Sequence, residues 1–340
     1  MKLYCGVDLH STNGYYAIMD QNGKRVKGKR LPNDPDEVVR FLEKYKEDLV
    51  GVAIEAMGWW YWLADLLQDN DYNVLLANPA AIEQYDGLKN ANDKSDAFFV
   101  AQLYQLDTLP TGYIMPREDR SIRDLLRRRM HFVRLRTSLV SSLLALIGRE
   151  TGQNYGWSTV GKLGIDEFKE LFDHDQLLLF TALEQFVAIK QLSERVLEVE
   201  QVVENKVKLK PEFAKLKTIP GIGKILALTI MLETGEISRF EKCGKYSSYC
   251  RCVPARHTSN KKKKKNKNRK NGNKYLAWAY VEAAQFCRRW CDGAKRFYNR
   301  KVSQTNNPAL ATKSLACKLS KAAYYIMRDQ VDFDESKIFS

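Results

Sequence analysis

Over the first hundred residues the apolar positions fall in short runs, alternating or continuous, broken by polar turns. Lys2–Val7 and Gly14–Met19 read as strands, and Asp20-Gln-Asn-Gly23 as the turn into a third, lysine-rich strand ending near Leu31. Pro35 opens a predicted helix through Tyr45, with Val38, Val39, Phe41 and Leu42 turned inward. Val50–Glu55 suits a buried strand, Trp59–Leu67 a helix and Asn73–Leu76 another strand. Ala91–Leu106 reads as a helix with Ala97, Val100, Ala101 and Tyr104 on one face. Three hairpin-linked strands followed by alternating helix and strand predict an α/β domain on a mixed sheet, over residues 1–110.

The pattern then changes period. Ile122, Leu126, Val133, Val140, Leu144 and Ile147 recur at helical spacing through 117–150. From about Thr181 to Lys210, Ile189, Leu192, Val196, Val199 and Val203 alternate three- and four-residue steps, a coiled-coil seam. Gly152–Gly164 joins the two helices as a hairpin tip, and the seam serves either an antiparallel pair within the chain or an oligomer. This predicts a helical region over 111–212. In the last third, Thr218-Ile-Pro-Gly-Ile-Gly223 precedes a helix at Lys224–Glu233 and has the form of a helix-hairpin-helix element. Backbone N–H groups at such a turn approach a phosphate where glycines Gly221 and Gly223 clear the way; a tight helix–helix turn uses the same residues. Helices at Tyr246–Cys252, Tyr275–Trp290 and Pro308–Met327 complete an all-α domain over 213–340.

Charge divides the 340-residue chain unevenly. The total is +14, but residues 1–110 carry −6 and the remainder +20. Arg256 to Lys274 holds ten basic residues and no acid: Arg256, Lys261, Lys262, Lys263, Lys264, Lys265, Lys267, Arg269, Lys270 and Lys274. A basic stretch of this density points to a polyanion, nucleic acid before membrane. Arg123, Arg127, Arg128 and Arg134 on the 117–136 helix form a second basic surface, either for nucleic acid or solvated. An apolar fraction of 44% excludes wholesale disorder. No apolar run approaches the ~18 residues of a membrane span, and seven irregularly spaced cysteines argue for a reducing compartment. The expectation is a soluble cytoplasmic protein.

The chemistry-bearing residues lie in the acidic part. Asp8 ends the first strand, Glu55 the fourth, and Asp93 and Asp96 share one helical face at i, i+3. Four hard oxygen ligands at strand ends suit Mg²⁺ or Mn²⁺, although Asp93 is equally placed to cap its helix. The chain also resembles insertion-sequence transposases that join an N-terminal resolvase-like DEDD domain to a C-terminal serine transposase domain, the bridge-RNA-guided recombinases. The resemblance rests on Gly6-Val-Asp8, Ile54-Glu55-Ala56, Asn92-Asp-Lys-Ser-Asp-Ala97, Ile219-Pro-Gly-Ile-Gly223, Cys252-Val-Pro254 with Ser259 five residues on, and Lys270-Asn-Gly-Asn-Lys274. It spans nearly the whole chain in order.

That resemblance implies an RNase H-like first domain whose Asp8, Glu55, Asp93 and Asp96 hold the metal. It also implies Ser259 as a nucleophile that forms a covalent phosphoserine with DNA, although Asn260 follows it where the family commonly has glycine. Further implications are a non-coding guide RNA that pairs with donor and target DNA, a homodimer assembling to a homotetramer, and action at the prokaryotic nucleoid. Two other readings stay open on the residues alone: a metal-dependent nuclease or Holliday-junction resolvase that uses water, and a non-catalytic RNA- or DNA-binding protein.

Overall fold

The computed structural model describes residues 1–56, 58–82, 92–253, 258–259, 262–263 and 271–339. The chain forms two compact units, one built on Met1–Met115 and the other on the chain from Pro116 onward.

The first unit opens with an antiparallel meander, β1 (Leu3–Leu9), β2 (Asn13–Asp20) and β3 (Arg25–Pro32). The β2–β3 turn is set by Asp20, whose Oδ1 accepts from the amides of Asn22 and Lys24 at 2.9 Å each, and by Gly23 at φ +81°. Helix α1 (Pro35–Glu43) starts where Pro35 follows Asp34, whose side chain accepts from the Glu37 amide. β4 (Leu49–Glu55) then pairs parallel to β1. Helix α2 (Trp60–Asp69) leads into β5 (Val74–Ala77), parallel to β4, and helix α3 (Asp93–Gln105) into the short β6 (Thr111–Gly112), antiparallel to β5. The sheet order is β3-β2-β1-β4-β5-β6. The mixed sheet and α/β character follow the hydrophobic pattern. The two-residue β6 does not, because it is too short to show a period. The lysines of β3 lie on an edge strand, where exposed charge discourages further pairing.

The alternation of β1 assigns its two faces. Leu3, Cys5, Val7 and Leu9 join Val52, Ile54, Leu63 and Leu67 in the larger core, beneath α1 and α2. The opposite face carries small residues: Gly6 on β1, Ala17 on β2, Ala53 on β4 and Ala77 on β5. Helix α3 lies against this face, and a Cβ at Gly6 would collide with the Ala97 carbonyl oxygen and the Ala101 amide nitrogen. Backbone therefore meets backbone at this point.

The second unit begins with a helical pair, α4 (Arg117–Thr151) and α7 (Gln176–Lys206). Arg129 pairs with Glu200 and Arg136 with Ser193, so the two helices run antiparallel within the chain. Ala182, Ile189, Val196 and Val203, each seven residues from the next, are the buried positions of α7. The expected tip, Gly152–Gly164, holds the short helix α5 (Trp157–Val160), and a second short helix, α6 (Ile165–Leu171), follows it before α7. Val160 and Phe168, with Phe172 just beyond, are buried there against Leu143 and Ile147. Helix α4 is also long and, in one window, apolar enough to cross a membrane by length and composition alone. Its Leu143 and Ile147 are fully buried in this core.

The remaining elements are α8 (Pro211–Leu216), α9 (Lys224–Thr234), α10 (Cys243–Tyr249), the hairpin strands β7 (Thr258–Ser259) and β8 (Lys262–Lys263), α11 (Lys274–Trp290), α12 (Asp292–Thr305), α13 (Pro308–Asp329) and α14 (Glu335–Phe339). They surround a core that includes Leu228, Tyr246, Tyr280, Leu315, Leu319 and Tyr324. Helices α12 and α14 are absent from the pattern-based expectation. The buried positions of α12 are only Gly293 and Ala294, too few and too small to produce an apolar period.

The Gly6 contact yields a direct test. Gly6→Ala should destabilise the protein by about 1–3 kcal/mol, the usual cost of overpacking. Gly244→Ala, inside α10 with open space around it, should be neutral or slightly stabilising. Chemical denaturation of both variants provides the comparison.

Candidate functional site

The acidic site is built where β1 ends and α3 begins. Asp8 shares the Gly6 face of β1 and is buried, at 7% exposure. The start of α3 is capped by Asn92, which accepts from the Ser95 amide while Ser95 Oγ accepts from the Asn92 amide. Asn92 therefore takes the capping role that Asp93 was equally placed to fill. The Asp93 carboxylate reaches across the sheet instead: Arg30 Nη2 donates to its Oδ2 at 2.6 Å, and His10 Nε2 lies 3.3 Å from its Oδ1. The same His10 nitrogen is 3.4 Å from Asp8 Oδ2. One potential ligand atom from each of Asp8, His10 and Asp93 falls within 4.8 Å of the others.

Asp96 lies one turn further along α3, and its charge is felt at Asp8. Glu55 follows Ile54, which is level with Val7 across the parallel β1–β4 pair, so it occupies the row beside Asp8 on the α3 side. Glu55 is half-buried and, among the described residues, is not part of the tight group of three.

Crowding of carboxylates shows in their proton affinities. Burial, with repulsion from Asp93 and Asp96, pushes Asp8 above the ordinary aspartate range, while His10 and Arg30 pull the other way. Asp96 is raised by burial and by Asp93. Asp93 is lowered, chiefly by the hydrogen bond from Arg30. A partly buried set of oxygen donors whose negative charge the neighbouring Arg30 and His10 only partly offset matches the needs of a hard divalent cation. Asp8 and Asp93, with Asp96 and Glu55 alongside, fit that role.

His10 and Arg30 were not among the expected site residues. His10, two residues beyond Asp8 and just past the end of β1, offers contact with a phosphate or a simple strand end in the sequence; the structure places its Nε2 between Asp8 and Asp93. Arg30 is legible only through register, since Asp8 pairs with Tyr15 and Tyr15 with Arg30 in one row across three strands.

In the second unit, Ser259 is the last residue of β7 and pairs with Lys262 of β8, and Thr258 pairs with Lys263. The chain on either side is fastened at one place. The Asn273 amide donates to the Tyr249 carbonyl at 2.6 Å, and Arg251 Nε donates to the Gly272 carbonyl at 2.9 Å. Asn273 also caps α11 and donates through Nδ2 to Glu233 Oε2 at 2.7 Å. Glu233 is buried and accepts from Arg127 Nε at 2.6 Å and from Arg127 Nη2 at 2.7 Å.

This network narrows the expected basic surface of α4. Arg127 is half-buried, held by Glu233 and lying over the Tyr275 ring, and Arg123 is buried, so neither extends freely from the helix toward a nucleic acid. Arg128 and Arg134 are exposed. Gly221, at φ +89°, packs on the backbone of α11 near Ala283 and Cys287, which accounts for a glycine there without a phosphate. Gly223 has open space and stands at the N-cap of α9. Lys274 is exposed at the start of α11. Of the basic stretch, Arg256, Lys261, Lys264, Lys265, Lys267, Arg269 and Lys270 lie outside the described residues, and Lys262 and Lys263 are described through the β8 backbone.

Residues 5–149 match a family model of DEDD transposases of the IS110 type, and residues 214–299 match one described as transposase IS116/IS110/IS902 family. The chain is 22% identical over 217 residues to the transposase for insertion sequence element IS1111A of Coxiella burnetii, covering 62% of this chain and 58% of that protein. It is 23% identical over 233 residues to the putative transposase y4qE of Sinorhizobium fredii, covering 66% and 55%. The chain thus spans a little over half the length of these curated relatives.

The electrostatics predict opposite responses to neutralisation and to metal. In chelator, Asp8→Asn should unfold about 2–4 °C higher than the parent, because a crowded, desolvated charge is removed. On adding Mn²⁺ the parent should gain thermal stability and the variant should not. Parallel melting curves provide the readout, and an equal gain in both proteins contradicts the site.

Proposed function

The chain belongs to the IS110/IS116 family of insertion-sequence transposases by its two matched domains, and from that premise we propose that it cuts DNA at the Asp8–Asp93 site and transfers the cut strand. One observation carries this reading: Asp8 on β1 and Asp93 on α3 are brought together from positions 85 residues apart, with Asp96 and Glu55 on the same side of the sheet. The mixed sheet with carboxylates at its strand ends supports an RNase H-like reading of the first unit.

A divalent cation held by these carboxylates, Mg²⁺ or Mn²⁺, would supply Lewis-acid polarisation of the scissile phosphate and neutralise charge on the leaving oxygen. The side chains of the chain itself do the positioning. Burial fixes Asp8, and Arg30 fixes the Asp93 rotamer through Nη2 while Asn13 Oδ1 accepts from Nη1 at 2.7 Å. The Arg30 guanidinium, about half exposed, offers its remaining donors to a phosphate. The acids alone, with water as nucleophile, suffice for nuclease-type cleavage, and the DEDD match favours that chemistry.

A second reading, with Ser259 as the attacking group and a phosphoserine intermediate, rests on the residue pattern around it. Support comes from the β7–β8 pairing that sets Ser259 at the end of a strand and from the fastening of the chain ends at Tyr249, Arg251, Gly272 and Asn273. Covalent attachment conserves the phosphodiester energy for rejoining. In this reading a guide RNA chooses the sites and the basic stretch around Ser259 holds the backbone of DNA or RNA, contacts that position without specifying sequence. Sharing of sites between protomers of a dimer or tetramer belongs to the same reading.

Substitution separates the two. Asp8→Asn and Glu55→Gln should each lower cleavage of a cognate element end at least about 100-fold, the scale of losing transition-state charge stabilisation. Ser259→Ala decides the nucleophile in a denaturing gel. Loss of a protein–DNA adduct together with cleavage supports the serine, whereas unchanged cleavage leaves water. Full activity after either acid substitution contradicts the site.

A further inference from the structure

The face of α13 turned toward α12 and α14 borders a cavity of about 430 Å³ that the acidic site and the Ser259 segment do not involve. Phe297, Ala322 and Tyr325 line it together with Lys318, Lys321 and Lys337. Lys318 and Lys321 are three residues apart on one helix and form one face. Neither has an ion-pair partner among the described residues, and the Lys337 ammonium lies 3.7 Å from Asp334. Burial, and to a lesser degree Arg300 and Lys321, hold the Lys318 ammonium below the ordinary lysine range. Lys318 Nζ stands 5.1 Å from the centroid of the Phe297 ring. Tyr325 is 44% exposed; the Arg328 guanidinium lies 4.9 Å from its ring centroid, and the Tyr325 hydroxyl donates to Cys243 Sγ at 3.5 Å.

We propose that this cavity is a binding site for one phosphate–base unit of a single-stranded polynucleotide. Lys318 and Lys321 neutralise the phosphate, and the base lies against Tyr325 and the apolar lining of Phe297 and Ala322. The arrangement combines the two elements of such sites, cations without an acidic partner and a partly exposed aromatic side chain beside them. A concave pocket of this size takes an unstacked base, which duplex DNA does not present. The proposal rests on the reading of the chain as one that acts on nucleic acid, but not on chemistry at the carboxylates.

The test is equilibrium binding of the full chain, in chelator, to labelled oligothymidylate and oligouridylate of equal length, with thymidine monophosphate as a separate ligand. Without metal no cleavage intervenes, so failure here is distinct from failure of the catalytic reading. Lys318→Gln/Lys321→Gln should weaken polymer binding about 10-fold at physiological salt and reduce the slope of log K against log salt by about 1.4, at roughly 0.7 per contact. Tyr325→Ala should weaken it about fivefold or more with the slope unchanged. Lys169→Gln, an exposed position on α6, should match the parent. A larger effect on one oligomer identifies the natural strand as DNA or RNA. Unchanged affinity and slope in both site variants, or an effect confined to thymidine monophosphate, overturns the proposal.

Discussion

The contact on which the first unit depends is the seating of α3 on Gly6. Only a residue without a side chain lets the Ala97 carbonyl and the Ala101 amide approach the strand so closely. Ala17, Ala53 and Ala77 flatten the rest of that face. The consequence is positional. Asp8 is two residues after Gly6, so a helix seated there brings its first turn, with Asp93 and Asp96, beside a carboxylate that the sheet has already buried. The Gly6-Val-Asp8 motif thus joins a packing requirement to a chemical one. Collecting the carboxylates is electrostatically unfavourable in itself, and Arg30 and His10 offset only part of it. Stability given up at such a point is what a cation-binding site requires.

The second unit applies a different constraint. Glu233 is a buried carboxylate satisfied by Arg127 from α4 and by Asn273 at the start of α11. Removing one partner would leave a charge uncompensated in the core, so the three are held in register. Asn273 is at once the cap of α11, a ligand of Glu233 and the backbone partner of Tyr249. Through it, the core of the helical unit fixes both ends of the segment that carries Ser259. The charge asymmetry of the chain follows the same division, with carboxylates concentrated by the sheet and cations displayed by the helices.

Much of this was legible in the sequence, and the exceptions have physical reasons. Asp8, Glu55 and the Asp93/Asp96 pair stand out because strand ends and i, i+3 spacing are local properties. Arg30 does not, because its place beside Asp93 depends on a register counted across three strands. Arg127 looks like part of a basic surface until tertiary packing brings Glu233 from more than one hundred residues away, and Arg123 until the fold buries it. Helix α12 is nearly invisible, since a helix that buries only glycine and alanine shows no apolar stripe. The heptad seam of α7 was visible, but periodicity alone does not say whether its partner is the same chain. Its partner within this chain is α4.

The central claim is that Asp8 and Asp93 hold a divalent cation in common. Anomalous diffraction from crystals grown with Mn²⁺ tests it most directly. The account predicts a peak bonded to oxygens of both Asp8 and Asp93, with the Arg30–Asp93 hydrogen bond loosened or lost. A fully occupied Mn²⁺ elsewhere, with that hydrogen bond intact and no peak between the two carboxylates, would contradict it.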